Sequence, residues 1–238
     1  VLTFLFVWWE MRVEYPLLPI DFFRSRGFSL GLIAISLTFF VMFSFMFTQM
    51  LHFQLVRERS ALEAALRFLP LPLGLMPSAA NSDRLCERFG SNNVVSFGLA
   101  IIGAAMLIFT SVDVGTPYWT LAVIFFLIGI GMGLTMAPST TMVMDSIPHD
   151  KAGVGSATND ASREVGGAFG IAIVGSAVNE IYQSEMVVPD GLETQAALVS
   201  ESFPAAIRIG NDLLSQGNII GIELIEIAQF AFVEGMTG

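Results

Sequence analysis

Five stretches of this chain, residues 29–55, 61–80, 94–112, 118–144 and 153–182, are apolar over lengths that match a bilayer core. A hydrocarbon layer about 30 Å thick takes roughly twenty residues of α-helix. A helix satisfies its own backbone hydrogen bonds where no water is available to do so. The expected fold class is therefore an all-α transmembrane helical bundle with about five full spans. Residues 1–9, VLTFLFVWW, are too short to span and read as the end of a partial N-terminal helix, with Trp8 and Trp9 at headgroup level. No charged region precedes that run and no small-residue cleavage site follows it, so it is not a signal peptide. An apolar helix already under way at Val1 is expected of a chain that is part of a longer one.

Composition agrees with the class. The chain is 54% hydrophobic and 13% charged, against about 25% charged in a soluble domain. Clustered Lys and Arg are absent, which excludes a nucleic-acid partner. The lone Cys86 rules out an intrachain disulfide and a multi-cysteine zinc site. The two histidines, His52 and His149, lie far apart in sequence, and no HExxH, GxSxG or Walker loop occurs, so neither a metal, a cofactor nor an enzymatic activity is expected.

The net charge of −10 is unevenly placed. Eight acids after residue 183 face only Arg208, giving that tail −7. Residues 1–182 therefore read as a transmembrane bundle and 183–238 as a separate acidic segment, which the loop charges below place outside the cytoplasm. Within it, 187–217 is polar and reads as an aqueous loop with room for one helical stretch. The final NIIGIELIEIAQFAFVEGMTG has an amphipathic pattern rather than that of a span. Positive residues set the orientation. Arg12, Arg24 and Arg26, then Arg84 and Arg88, then Lys151 fall in the odd-numbered loops, against Arg57 and Arg59 in the second and none in the fourth. The odd loops are expected in the cytoplasm.

Residues 125–175 combine glycine and charge inside membrane-grade sequence. Gly129 and Gly133 form one GxxxG pair and Gly166 and Gly170 another. Such pairs let two helix backbones approach closely, for packing or for sliding. Asp160, Arg163 and Glu164 share one helical face at i, i+3 and i, i+4 spacing. Burial raises a carboxylate's pKa and a nearby arginine lowers it, so the cluster reads either as an internal ion pair or as a proton-handling group. In SDRLCERFGSNN, residues 82–93, Asp83, Arg84, Glu87 and Arg88 alternate in sign before Gly90. They form either a conformational latch or a topogenic positive-inside loop. Arg67 suits snorkelling to the outer surface or contact with an anion. His52 and Gln49 suit an interface or a polar path. Phe39, Phe40, Phe43, Phe45, Phe47, Met42, Met46, Phe125 and Phe126 face lipid, neighbouring helices or an apolar pocket. Pro70, Pro72 and Pro77 are expected to kink the third span.

The loop at 83–92 resembles the cytoplasmic G-x-L-x-D-R-x-G-R-R loop of the major facilitator superfamily, through Glu87, Arg88 and Gly90. Asp83 stands for the leading glycine, and Ser91 and Asn92 for the trailing basic residues. Pro148, Lys151, Ala152, Gly153, Gly155, Asn159, Arg163, Gly166, Gly167 and Gly170 are similar in spacing to the fourteen-helix drug:proton antiporter branch. Leu66 to Gly74 and Thr48-Gln49 resemble that branch too. The resemblance implies a C-terminal half-bundle truncated at both ends. Its main proton-coupling carboxylates would lie in a missing N-terminal half-bundle, and a last span would follow the chain. It also implies a multi-pass protein of the cytoplasmic membrane, in contact with lipid, that exchanges small amphipathic drugs or metabolites for protons by alternating access. Asp83, Arg84, Glu87, Arg88 and Gly90 would gate, and Asp160, Arg163 and Glu164 would couple or pair. A non-transporting membrane scaffold or remnant, and an importer of sugars or organic ions on the same fold, remain alternatives.

Overall fold

The computed structural model describes Trp8, Trp9, Arg12 and residues 20–237, apart from the side chain of Glu193. Most of the expected partial span at 1–9 lies outside the described residues. Every regular element among those described is helical. They are α1 (Arg26–Leu51), α2 (Ala61–Arg67), α3 (Pro70–Phe89), α4 (Ser91–Phe109), α5 (Tyr118–Asp145), α6 (Ala152–Glu185), α7 (Ala196–Glu201), α8 (Phe203–Ser215) and α9 (Ile220–Thr237).

Local chemistry sets the boundaries. Helix α1 winds more loosely at its end, continuing as a π-helical turn over His52–Val56. Ser60 and Glu63 form a reciprocal capping box that opens α2. Pro70 is the first residue of α3, where a missing N–H costs least. The carbonyls of Leu66 and Phe68, which Pro70 and Pro72 cannot serve, instead accept the Leu69 and Leu71 N–H groups at 3.2 and 3.0 Å. The predicted span at 61–80 is thus two helices joined at a tight turn. The second of these runs on to Phe89, through most of the segment expected as a loop.

Only Gly90 separates α3 from α4. Its φ of +83° and ψ of 142° place it where side chains are strained, and a Cβ there would meet no atom within 4 Å. Gly90→Ala is therefore expected to cost about 1–3 kcal/mol through the backbone alone. Gly103→Ala makes the control. It is helical, equally uncrowded, and expected to gain about 0.5–1 kcal/mol. Unfolding titrations of both variants in detergent check the pair, and equal effects would contradict the assignment to backbone conformation.

Among the described residues four segments, not the expected five, are long and apolar enough to cross a membrane: Arg26–Val56, Ser91–Phe109, Tyr118–Asp145 and His149–Glu185. Helix α3 packs beside them against α5. The close contacts fix the directions. Gly166 and Gly170 on α6 meet Ser36 and Phe40 on α1, so these two run parallel. Gly129 and Gly133 on α5 meet Leu71 and Ser78 on α3, again parallel. Gly131 on α5 faces Gly98 and Ile102 on α4, and Gly31 on α1 faces Val143 on α5; both of these pairs are antiparallel. The α1 start, the α3–α4 turn and the Lys151 turn therefore share one end of the bundle.

Among the described residues the core has three parts. One, near the Lys151 end, holds Phe28, Leu32, Ile35, Val143 and Ile147. The central one joins α1, α4 and α5 through Phe45, Phe109, Phe125 and Met132. The third ties the end of α6 to α7–α9 through Tyr182, Phe203, Leu224 and Phe232. The acidic tail is more structured than the expected loop. Tyr182 donates to the Val199 carbonyl at 2.8 Å, and the Phe203 and Phe232 rings stack at 4.2 Å. Helix α9 buries one face, through Leu224, Ala228 and Ala231, and exposes the other at Ile222, Glu226 and Phe230. Gly235 packs on Val178, and Met236 reaches a cavity shared with Phe40, Ser44 and Met106.

Candidate functional site

The sequence singled out two charged groups, and the structure treats them differently. Asp83, Arg84, Glu87 and Arg88 occupy the last two turns of α3 rather than a loop, and all are exposed. None forms an ion pair with another described residue. Arg88 instead lies over the neighbouring Phe89 ring, 5.2 Å from its centre. Beside them an apolar cavity of about 370 Å³ is lined by Leu85, Phe89, Val94, Phe97 and Leu134. This is four unpaired charges on a rigid helix end, with Gly90 as the only break before α4.

In α6, one turn brings the Asp160 carboxylate to 3.7 Å from the Arg163 guanidinium. The side chains are 66% and 32% exposed, so the pair is a loose one. Arg163 also lies over the Phe39 ring of α1 at 5.5 Å, while its Nε is buried without a partner. Glu164 is exposed and outside the pair. The expected trio is thus a couple. Asn159 is 5% exposed, with its Oδ1 unpartnered.

The glycine pairs do what their spacing allows. A Cβ on Gly129 would strike the Leu71 carbonyl oxygen, and on Gly133 the Ser78 hydroxyl. On Gly166 and Gly170 it would strike the Ser36 and Phe40 carbonyl oxygens. Of the aromatic and methionine residues along the spans, Phe45 and Phe125 are buried, whereas Met46, Phe47 and Phe126 face outward.

A polar line along α1 was only partly foreseen. Thr38, Ser44, Thr48, Gln49 and His52 are all buried. The three hydroxyls satisfy themselves on carbonyls one turn back, at 2.7–3.1 Å. Gln49 and His52 do not. Both are fully enclosed, both amide atoms of Gln49 lack partners, and so does Nδ1 of His52. His52 Nε2 accepts from Arg57 Nε at 3.4 Å, and Arg57 Nη2 donates to the Thr116 carbonyl at 2.6 Å. Burial, then the positive charge of Arg67, holds the Arg57 guanidinium below the ordinary arginine value. The protein encloses His52 at the end of α1; the π-helical turn that buries it leaves no signature in the sequence. No group of residues able to hold a metal ion occurs among the described residues.

Residues 10–171 match the family model described as Major Facilitator Superfamily. The chain belongs to this superfamily. It is 30% identical over 166 residues to the Methylenomycin A resistance protein of Streptomyces coelicolor, covering 70% of this chain and 35% of the relative. It is 26% identical to the Multidrug efflux pump LfrA of Mycolicibacterium smegmatis over 98% of this chain and 46% of the pump. Similarity to the Tetracenomycin C resistance and export protein of Streptomyces glaucescens is 25% over 95% of this chain and 43% of that protein. The chain thus spans less than half the length of these relatives. As a superfamily member it is an integral membrane protein of a transporter family with drug-resistance and efflux relatives. The α3 charges and the Asp160–Arg163 couple lie inside the family match. Helices α7–α9 lie beyond it but within the longer alignments.

Proposed function

We propose that this chain is the C-terminal half of a secondary transporter of the fourteen-helix drug:proton branch, and that the whole protein expels small amphipathic drugs or metabolites from the cell in exchange for protons. The observation that carries this reading is similarity over nearly the whole chain to relatives named for efflux and export. The transporter works by alternating access, two half-bundles rocking about a site near the bilayer midplane. It resides in the cytoplasmic membrane, with the Lys151 and Gly90 turns inside and residues 183–238 outside, as the distribution of Lys and Arg favours.

In this mechanism the exposed α3 charges Asp83, Arg84, Glu87 and Arg88 engage the other half-bundle in one conformation and release it in the other. Gly90 permits the break between α3 and α4. Asp160 and Arg163 form a polar contact that exchanges partners as the halves move, with Glu164 free to receive one. Backbone-to-backbone contacts at the two GxxxG pairs permit helix sliding without side-chain rearrangement.

The test is efflux of a panel of lipophilic cations from cells expressing the full-length protein that carries this chain, with and without a proton gradient. Efflux is expected to fall to passive leakage when the gradient is collapsed; unchanged efflux would overturn the antiport reading. Asp83→Asn, Arg88→Gln and Asp160→Asn are each expected to slow gradient-driven efflux. Rates equal to the parent's would remove that residue from the mechanism.

A further inference from the structure

At the bundle end opposite the Lys151 turn, three arginines converge on one small cavity. It measures about 210 Å³ and is lined by Phe53, Arg57, Arg59, Arg67, Tyr118 and Leu121. Two of the three guanidinium groups are held in place. Arg57 is fixed by its bonds to Thr116 and His52. Arg67 lies over two rings, 4.7 Å from the centre of Tyr118 and 5.7 Å from that of Phe53. Tyr118 is itself fixed, since its hydroxyl donates to the Arg67 carbonyl at 3.0 Å. Arg59 is exposed at the rim.

None of the three arginines forms an ion pair with a described residue. Asp113 lends Arg57 some opposing charge without forming an ion pair, and the other acids nearby are engaged or exposed. Asp113 accepts the Thr116 hydroxyl at 2.9 Å, Glu63 accepts the Ser60 N–H at 3.1 Å, and Glu58 is exposed. Three cations around one cavity call for an anion, and planar guanidinium groups match the paired oxygens of a phosphate. The volume lies below that of a drug-sized site, so the cavity suits a headgroup rather than a transported drug.

A second feature adjoins the first. Leu62, Leu66, Leu69 and Leu73 are all exposed and recur at helical spacing along α2 and the start of α3. That stripe offers an acyl chain a path from the cavity toward the bilayer interior. We infer that the Arg57–Arg59–Arg67 cavity binds the phosphate of an anionic phospholipid of the adjacent leaflet, with its acyl chain along the Leu62–Leu73 stripe. The lipid splints the α1–α2 turn against α5.

Native mass spectrometry of the detergent-purified full-length protein tests this with three probes: phosphatidylglycerol, phosphatidylcholine and inorganic phosphate. Phosphatidylglycerol is expected to bind about fivefold or more tightly than phosphatidylcholine. The double variant Arg59→Gln, Arg67→Gln is expected to lose that preference, and Arg67→Lys to keep part of it. Equal binding of the two lipids, or an unchanged preference in the double variant, overturns the proposal. Displacement of phosphatidylglycerol by equimolar inorganic phosphate would overturn the lipid assignment in favour of a soluble anion. Should the double variant lose its helical circular dichroism, Arg59→Gln alone decides, because that side chain is exposed and supports no packing.

Discussion

Gly129→Leu is expected to prevent the bundle from forming. A Cβ at this position would overlap the Leu71 carbonyl oxygen and lie 3.0 Å from both the Leu71 carbonyl carbon and the Leu75 nitrogen. All three are backbone atoms of α3, so no rotamer change relieves the clash. The helices must separate, and the neighbouring approach at Gly133, where a Cβ would sit 2.6 Å from the Leu75 oxygen, is lost with it. Ordinary overpacking costs about 1–3 kcal/mol; a clash with backbone at the closest helix contact is expected to exceed about 3 kcal/mol by the same physics. Size-exclusion chromatography in mild detergent should show aggregated protein or none. The matched control is Gly103→Leu, on the exposed face of α4 where a Cβ meets nothing. If Gly129→Leu purifies as a monodisperse protein with the thermal stability of the parent, the close approach of α3 and α5 is wrong.

Phe125→Ala should be the most damaging truncation of a side chain. Phe125 is fully enclosed. Its ring centre lies 5.2 Å from Phe45 on α1, 6.1 Å from Phe53 in the π-helical turn and 5.0 Å from Phe68 at the α2–α3 junction. One ring therefore joins three segments to α5. Phenylalanine truncation in a soluble core costs about 3–5 kcal/mol. In a bilayer the transfer share shrinks, because separated helices still meet an apolar solvent. The lost dispersion contacts and the cavity remain, and about 2–3 kcal/mol is the expected loss. The adjacent Phe126 is 42% exposed, and Phe126→Ala is expected to cost about 0.5 kcal/mol or less. Unfolding titrations in mixed detergent micelles compare the two, and similar losses would contradict the assigned faces of α5.

Phe125 and Phe126 also show where the sequence stops being informative. Both lie in the same apolar run, and a helix that is apolar all round has no hydrophobic face to read. In lipid the two sides of such a helix make the same demand on side-chain polarity. The small residues break this degeneracy. Gly129, Gly133, Gly166 and Gly170 were legible as contact positions because only a missing Cβ admits a neighbouring backbone. Charge spacing was informative for Asp160 and Arg163, which one helical turn brings together, and not for Glu164, which stays apart. The Asp83–Arg88 segment looked like a loop because it is polar. It is helical because no residue before Gly90 breaks the helix once past Pro77.

The sequence by itself determined the all-helical membrane class, the positions of four of the five expected apolar spans and the family. Span length and backbone satisfaction in lipid leave few alternatives, and the family match covers residues 10–171. Tertiary structure alone decided which face of each helix is interior, that α9 folds back against α8 and α6, and that Gln49 and His52 are enclosed. It also drew Arg57, Arg59 and Arg67 around one cavity, across a π-helical turn and a capped helix start. Those outcomes depend on contacts between residues far apart in the chain, and neither composition nor local spacing records which surfaces will meet.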